Sequence, residues 1–262
     1  MVGLSATAPE GTAPLSVIVI TRNEEANIAA CLASVAFARE CIVVDSGSTD
    51  RTLEIARDAG AHVTRTPDFP GFGLQKNRAL DLATQPWVLS IDADERVTPL
   101  LRDEILAVVG AAAPQPNAWD MPRRSSYCGQ FMAHSGWYPD RVTRLFRRGT
   151  ARFSPDVVHE RLVTGERPAH LRHDLMHLSY PDLESVLDKL NRYSTAGAQR
   201  MQSEGRRGSV GRAVASGLWA FIRTYVLQFG FLDGRMGFLL AVSNAEGTYY
   251  RYLKLWLLQR RA

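Results

Sequence analysis

Residues 16–25 read SVIVITRNEE and residues 41–50 read CIVVDSGSTD, and in each an apolar run ends in polar residues. Residues 87–95, WVLSIDADE, repeat this arrangement. Apolar runs without polar alternation are typical of strands buried on both faces of a parallel sheet. The stretches between them have helical patterns, and parallel strands need a crossover that is usually a helix. The sequence therefore predicts an α/β fold with a mostly parallel, Rossmann-like sheet flanked by helices.

The same patterns predict where the elements lie. Strands are expected at Ser16–Ile20, Cys41–Asp45, His62–Arg65 and Trp87–Ile91. Capping residues predict three helix starts, at Asn23, Asp50 and Thr98. Further on, short strand-like pieces are expected at residues 142–146 and 161–163, and helices after Pro181.

Polar residues follow three of the predicted strands, at Thr21–Glu24, at Asp45 and at Asp92–Glu95. Because ligands bind beyond the carboxyl ends of strands in open sheets of this kind, we expect these residues to share one cleft. Asp92 and Asp94 could converge on one hard cation, which prefers oxygen ligands and could neutralise a departing diphosphate. The alternative is an acidic cluster that merely stabilises the start of the next helix.

Asp45 also raises the possibility of a dinucleotide-binding dehydrogenase, since a carboxylate at the end of a second strand can bind ribose. The first strand-to-helix turn, however, reads TRNEE and lacks the glycines of a GxGxxG motif. Without those glycines the backbone cannot approach a pyrophosphate closely. This disfavours a dehydrogenase.

Charge is distributed unevenly along the 262 residues. The first 105 residues carry 15 acidic and 9 basic side chains, and the remainder 12 acidic and 22 basic ones. The basic half could face phosphates or anionic lipid, but the mild net charge of +4 and the lack of a recognised module disfavour nucleic acid as a partner. Three scattered cysteines suggest no disulfide framework and suit a cytoplasmic location.

Eight segments carry a resemblance to a known family: SVIVITRNEEANIAACLASV, CIVVDSGSTDRTLEIA, GFGLQKNRALDLATQPWVLSIDADERV, YPDRVTRLFRRG, VHERL, LMHLSY, KLNRYS and GFLDGRMGF. Together they resemble the family 2 glycosyltransferases of the GT-A fold, over roughly residues 15–258. With the last four segments included, the set is similar to the subgroup of lipopolysaccharide-core β-1,4-glucosyltransferases.

The resemblance implies a UDP-sugar donor, with UDP-glucose favoured, and a divalent cation, Mn²⁺ or Mg²⁺. It implies a nucleotide-sugar site formed by Thr21, Arg22, Asn23, Glu24, Asp45, Lys76 and Asp92. Arg22 stands where some relatives carry a base-stacking aromatic residue, and its guanidinium could stack instead. Lys76 could equally lie on a solvated helix face. Asp94 is implied as the direct metal ligand, with Asp92 as the second.

Inversion needs a general base that deprotonates the acceptor hydroxyl. Acidic candidates in the second half are Asp140, Asp156, Glu160 and Glu166, and the resemblance implies Glu160. It also implies His177 as a further metal ligand or diphosphate contact, although a buried structural histidine is an equal alternative. The four-residue spacing of His173 and His177 would place both on one helix face, but no third zinc ligand accompanies them.

Six arginines lie between residues 123 and 148: Arg123, Arg124, Arg141, Arg144, Arg147 and Arg148. They could bind the diphosphate or a phosphorylated acceptor, although solvated positions are expected for most of them.

The C-terminal part is apolar at Leu218–Val242 but is interrupted by charges and by the helix-breaking GFLDG at residues 230–234. Two interfacial helices would bury fewer charges than one spanning helix. We therefore expect peripheral association with the cytoplasmic membrane, the alternatives being docking on the catalytic domain or on a second subunit. A saccharide or lipid-linked acceptor would fit that location.

The predicted organisation is a disordered tail at 1–14, a catalytic domain at 15–180 and a helical extension at 181–262. Within the catalytic domain, residues 15–110 would bind the nucleotide sugar and residues 111–180 the acceptor. Two other functions remain open from the sequence: a sugar nucleotidyltransferase, and a transferase-like module that binds without catalysis.

Overall fold

The computed structural model describes residues 12–112, 115–155 and 160–260. These residues divide into two compact units. The first unit lies within Met1–Arg123 and Arg141–His177, and the second within Arg124–Asp140 and Leu178–Ala262. Residues 124–140 therefore belong to the helical unit, whereas we predicted them in the acceptor half of the catalytic domain.

The N-terminal half of the first unit is a parallel sheet. Its strands are β1 (Ala13–Thr21), β2 (Ala38–Asp45), β3 (His62–Arg65) and β4 (Trp87–Ser90), in the order β3-β2-β1-β4. The helices of this half are α1 (Ile28–Ser34), α2 (Thr52–Asp58), α3 (Phe72–Leu82) and α4 (Pro99–Val109). The predicted parallel α/β architecture is confirmed. The first strand begins at Ala13, inside the expected tail, and the rest of that tail up to Gly11 lies outside the described residues.

Antiparallel strands extend this sheet beyond β4. They are β5 (Glu95–Val97), β6 (Ala118–Tyr127), β7 (Gln130–Phe131), β8 (Asp140–Arg147) and β12 (Leu175–Tyr180), with β8 against β4 and β12 against β5. The short β11 (Ala169–His170) pairs with β6, while β9 (Ala151–Phe153) and β10 (Leu162–Thr164) form a separate pair. The direction of these strands could not be predicted, since it depends on partners distant in sequence.

The core lies on both faces of the parallel strands. Alternate residues of β1 contribute to two apolar clusters: Val17 and Val19 pack in one, and Ile18 in the other. The first cluster includes side chains of α1 and α4, and the second includes side chains of α3. This explains why β1 and β4 lack polar alternation, because both faces of these strands are largely buried.

The predicted helix caps are confirmed in part. The Thr98 hydroxyl accepts a hydrogen bond from the Leu101 N–H at the start of α4. Asn23 caps no helix: it has a φ of +56° and its side chain accepts from the Thr49 N–H at 2.8 Å, while α1 begins at Ile28. An asparagine tolerates this left-handed conformation better than most residues, so the same side chain favours a turn here.

The second unit is mainly helical. Its helices are α5 (Leu183–Ser203), α6 (Val210–Ile222) and α7 (Gly234–Gln259). A π-helical turn, Arg223–Leu227, and a 3-10 turn, Gly230–Asp233, separate α6 from α7, so the predicted break at residues 230–234 is confirmed. The α7 helix packs against both α5 and α6.

Candidate active site

Asp92 lies just after β4, at the expected edge of the sheet. Its carboxylate contacts two cationic side chains: Lys76 Nζ lies 3.0 Å from Oδ1, and Arg144 Nη2 lies 2.7 Å from Oδ2. Lys76 comes from α3 and Arg144 from β8, the antiparallel neighbour of β4. Three elements distant in sequence therefore converge on one carboxylate.

Glu95 stabilises this arrangement through buried contacts with Arg144 and with the backbone of Asp92. It has 0 % exposure, and its Oε1 lies 2.7 Å from Arg144 Nη2 and 3.5 Å from Arg123 Nη1. Its Oε2 accepts a hydrogen bond from the Asp92 N–H at 2.9 Å. A buried charge persists only when it is paired, so Arg144 and Glu95 together fix the turn that carries Asp92.

Sequence reasoning places Glu95 in the cleft but does not predict that Glu95 and Arg144 support Asp92. Arg144 was grouped with five arginines expected to be mostly solvated, yet its side chain is 8 % exposed. Its position inside the apolar run Val142–Phe146 was the available signal, because a charge in a buried strand needs a partner.

Opposite charges hold Asp92 and Arg144 in their ionised forms. Burial alone would raise the pKa of Asp92, but Arg144 and Lys76 hold that pKa well below its usual range. Burial would likewise lower the pKa of Arg144, but Asp92 and Glu95 hold it above its ordinary value. Fixed charges therefore line this part of the site at neutral pH.

Lys76 also joins Asp92 to Glu160, the candidate base. Its Nζ lies 2.9 Å from Glu160 Oε1, and the lysine side chain is only 4 % exposed. The alternative of a solvated helix face is therefore wrong for Lys76. Of the other acidic candidates, Glu166 accepts a hydrogen bond from a backbone N–H, and Asp156 lies outside the described residues.

Asp94 lies beside His177. Strand β12 runs antiparallel to β5 with His177 opposite Glu95, and this register brings His177 Nε2 to 3.3 Å from Asp94 Oδ2. The expectation that His173 and His177 share a helix face is wrong, because His177 is in a strand. His173 instead lies 3.1 Å from Glu104.

The side chains of Asp94 and His177 carry donor atoms that suit a divalent cation. Among the residues that the structure describes, no three His, Cys, Asp or Glu side chains form a ready metal site. Asp94 and His177 offer one oxygen and one nitrogen ligand, whereas the Asp92 oxygens already contact Lys76 and Arg144. A cation therefore fits here as an ion with two protein ligands, completed by oxygens of a bound diphosphate or water.

Asp45 is buried and its hydrogen-bonding capacity is used within the fold. One oxygen accepts from the Gly47 and Ser48 N–H groups, at 2.9 and 2.8 Å. The other accepts from the hydroxyls of Thr21, at 3.0 Å, and Ser48. Four donors occupy about four lone-pair sites, so the carboxylate ties the ends of β1 and β2 together.

The residues after β1 line the same sheet edge. Arg22 and Asn23 are exposed, and Glu24 is half-buried. Burial raises the pKa of Glu24, and the nearby charge of Asp94 adds to this effect. A hydrogen bond from Asn27 opposes it.

Comparison with known proteins gives a consistent result. Residues 16–153 match the family model "Glycosyl transferase family 2". The lipopolysaccharide core biosynthesis glycosyltransferase LpsC of Rhizobium meliloti is 31% identical over 255 residues, covering 95% of this chain and 93% of the relative. An uncharacterised glycosyltransferase of Rickettsia typhi, RT0209, is 30% identical over 92% of this chain and 86% of its own.

Among solved structures, glucosyl-3-phosphoglycerate synthase from Mycobacterium tuberculosis, crystallised with Mn²⁺, UDP and glucosyl-3-phosphoglycerate, is 29% identical with a TM-score of 0.35. That match covers 43% of this chain and 44% of the synthase. The family model spans more than half of this chain and the relatives match nearly all of it. The chain belongs to glycosyl transferase family 2, and it is a glycosyltransferase with the GT-A fold.

Proposed function

We propose that the protein is an inverting hexosyltransferase. It transfers glucose from UDP-glucose to a saccharide or lipid-linked acceptor such as lipopolysaccharide core. The observation that carries the proposal is the charged cluster at the end of β4, in which Lys76 bridges Asp92 and Glu160. The relation to LpsC, named for lipopolysaccharide core biosynthesis, supports the acceptor class.

In this proposal, Lys76, Asp94 and His177 face the diphosphate of the donor. The Lys76 ammonium offers a positive charge to the leaving group, and Asp94 with His177 would hold a divalent cation, Mn²⁺ or Mg²⁺. That cation supplies electrostatic stabilisation of the departing diphosphate. Thr21, Arg22, Asn23 and Glu24 lie at the edge where the nucleotide base would bind, and Asp45 fixes that edge.

Glu160 is the proposed base. The acceptor hydroxyl oxygen forms a bond to the anomeric carbon while the bond from that carbon to the diphosphate oxygen breaks, and the hydroxyl proton passes to the Glu160 carboxylate. In the structure Lys76 Nζ lies 2.9 Å from this carboxylate, so the proposed base contacts the side chain proposed to face the donor diphosphate.

We also propose that the second unit contacts the cytoplasmic face of the membrane. Among the described residues no single helix is long and apolar enough to cross a bilayer; Val210–Leu227 and Gly230–Gln259 pass that test only together, with a bend of 71°. This segment exposes large apolar side chains, including Leu218, Trp219 and Phe229. From residue 204 onward, nine basic side chains outnumber three acidic ones, which favours an anionic lipid surface.

The test is an assay of UDP release from UDP-glucose, with and without Mn²⁺ and with and without lipopolysaccharide core oligosaccharide. Transfer predicts release that requires both the metal and the acceptor. A parallel screen of nucleotide sugars by thermal shift identifies the donor, since a bound ligand stabilises the folded state. Stabilisation by another nucleotide sugar, and not by UDP-glucose, would overturn the donor assignment.

A further inference from the structure

The second unit contains a cavity of about 460 Å³ that lies wholly among its own residues. Residues of α5, α6 and α7 line it together with residues of the segment 127–137. This volume falls within the range of roughly 300–1,000 Å³ that is usual for small-molecule sites. None of the residues that line the cavity is among those assigned above to donor binding or catalysis.

One wall of the cavity is aromatic. Tyr127, Trp137 and Tyr180 line it and contact one another, with Trp137 centred 5.9 Å from Tyr127 and 5.8 Å from Tyr180. The Tyr127 hydroxyl is hydrogen-bonded to Ser243 Oγ at 2.7 Å, which fixes the ring. The electron-rich face of an aromatic ring suits the C–H face of a pyranose, whose hydroxyls then point towards polar groups.

Polar groups that can meet such hydroxyls lie among the other lining residues. Gln228 and Asn244 offer amide groups. Gln228 is packed closely against Gly136, where a Cβ atom would overlap the carboxamide. The amide is thereby held at the cavity wall.

Two arginines give the cavity its charge. Arg223 and Arg251 both line it and are exposed to solvent, and neither forms an ion pair with an acidic side chain among the described residues. Arg251 donates a long hydrogen bond of 3.5 Å to Thr248, and Arg223 begins the π-helical turn. Turns of this kind are frequent at functional sites, and guanidinium groups without acidic partners match the oxygens of a phosphate.

We propose that this cavity binds a phosphorylated saccharide, with the sugar ring on Trp137 and Tyr180, which pack against the buried Tyr127, and the phosphate at Arg223 and Arg251. A purely apolar ligand would leave the arginines and amides without partners, and a simple anion would not use the aromatic wall. The further statement that this saccharide is part of the acceptor rests on the proposed function. The binding itself does not.

The test is calorimetric titration of the full chain with glucose 6-phosphate, without nucleotide or metal. Glucose and inorganic phosphate are titrated separately, and vesicles of phosphatidylglycerol test for a lipid headgroup. We expect glucose 6-phosphate to bind more tightly than either component. The double variant Arg223→Gln/Arg251→Gln should weaken it by about tenfold or more, because charged hydrogen bonds are lost.

Matched variants separate the two halves of the site. Trp137→Ala should weaken glucose 6-phosphate binding and leave the weak binding of inorganic phosphate unchanged, while Trp137→Phe should retain most of the affinity. Arg192→Gln, which removes an exposed arginine of α5 outside the cavity, should change neither.

Four results would overturn the proposal: no binding of glucose 6-phosphate at millimolar concentration, equal affinity for inorganic phosphate, binding of the vesicles alone, or unchanged affinity in the double variant. Saccharide binding without any UDP release from UDP-glucose would support this saccharide site and reject the proposed function. UDP release that depends on the acceptor, together with no glucose 6-phosphate binding, would reject this site and support the proposed function.

Discussion

Replacing Arg144 by methionine should destabilise the protein strongly, because it leaves the buried Glu95 carboxylate without its nearest cation. Arg144 Nη2 lies 2.7 Å from Glu95 and 2.7 Å from Asp92, and Glu95 has 0 % exposure. Removing one partner of a buried ion pair costs about 3–5 kcal/mol. Arg123 lies 3.5 Å from Glu95 and compensates in part, so we expect a loss of about 3 kcal/mol. For a protein of this size that corresponds to a fall in Tm of about 6–12 °C.

The assay is urea unfolding followed by circular dichroism at pH 7.5. The matched control is Arg152→Met, which removes an exposed ion pair with Asp81 of similar length, 2.8 Å, and should cost less than about 1 kcal/mol. The double variant Arg144→Met/Glu95→Gln removes both buried charges. It should recover part of the stability lost in the single variant, since no buried carboxylate remains unpaired.

A loss no larger than that of the Arg152 control would refute the role of Arg144 in holding the turn after β4. A double variant less stable than the single one would also count against this role, because the loss of stability in the single variant should come from the unpaired Glu95 charge.

Three further predictions concern catalysis and packing. Asp94→Ala should abolish UDP release while the circular dichroism spectrum and Tm stay close to wild type, since Asp94 is partly exposed; near-normal turnover would remove it from the metal site. Glu160→Gln should lower kcat by about 10²-fold or more while UDP-glucose still raises the Tm, and a small effect on kcat would place the base elsewhere. Gly73→Ala should cost about 1–3 kcal/mol in urea unfolding, because its Cβ would overlap the backbone oxygen of Ser154, whereas Gly165→Ala, with open space around it, should be neutral; equal stability of the two variants would contradict this packing.

The secondary structure of the parallel half could be predicted because its signals are local. His62–Arg65 is a strand with the predicted bounds, and Thr98 caps α4 as expected. The break in the C-terminal helices at residues 230–234 was also readable, since two glycines frame it. Asn23 shows the limit of local reasoning: the same side chain suits a helix cap or a turn, and packing of the residue-49 backbone against it decided for the turn.

The candidate site was predictable where it lies at the ends of parallel strands. Thr21, Asp45, Asp92 and Asp94 had to share one sheet edge once the strands were parallel, whichever residues filled the rest of the chain. The detailed roles were not predictable. Asp45 could be expected to face a ligand, but the Gly47–Ser48 turn folds back over it and supplies three of its four hydrogen-bond donors.

The sequence by itself determined the α/β class, the cleft at the strand ends and the family. Apolar periodicity and polar residues at strand ends are local patterns, each contained within a short stretch of chain. Only the tertiary structure decided which of six arginines is buried, and that His177 lies beside Asp94. Both depend on antiparallel pairings, of β8 with β4 and of β12 with β5, between segments more than fifty residues apart. The register between such distant strands is set by the packing of the whole sheet, so it cannot be predicted from a local sequence pattern.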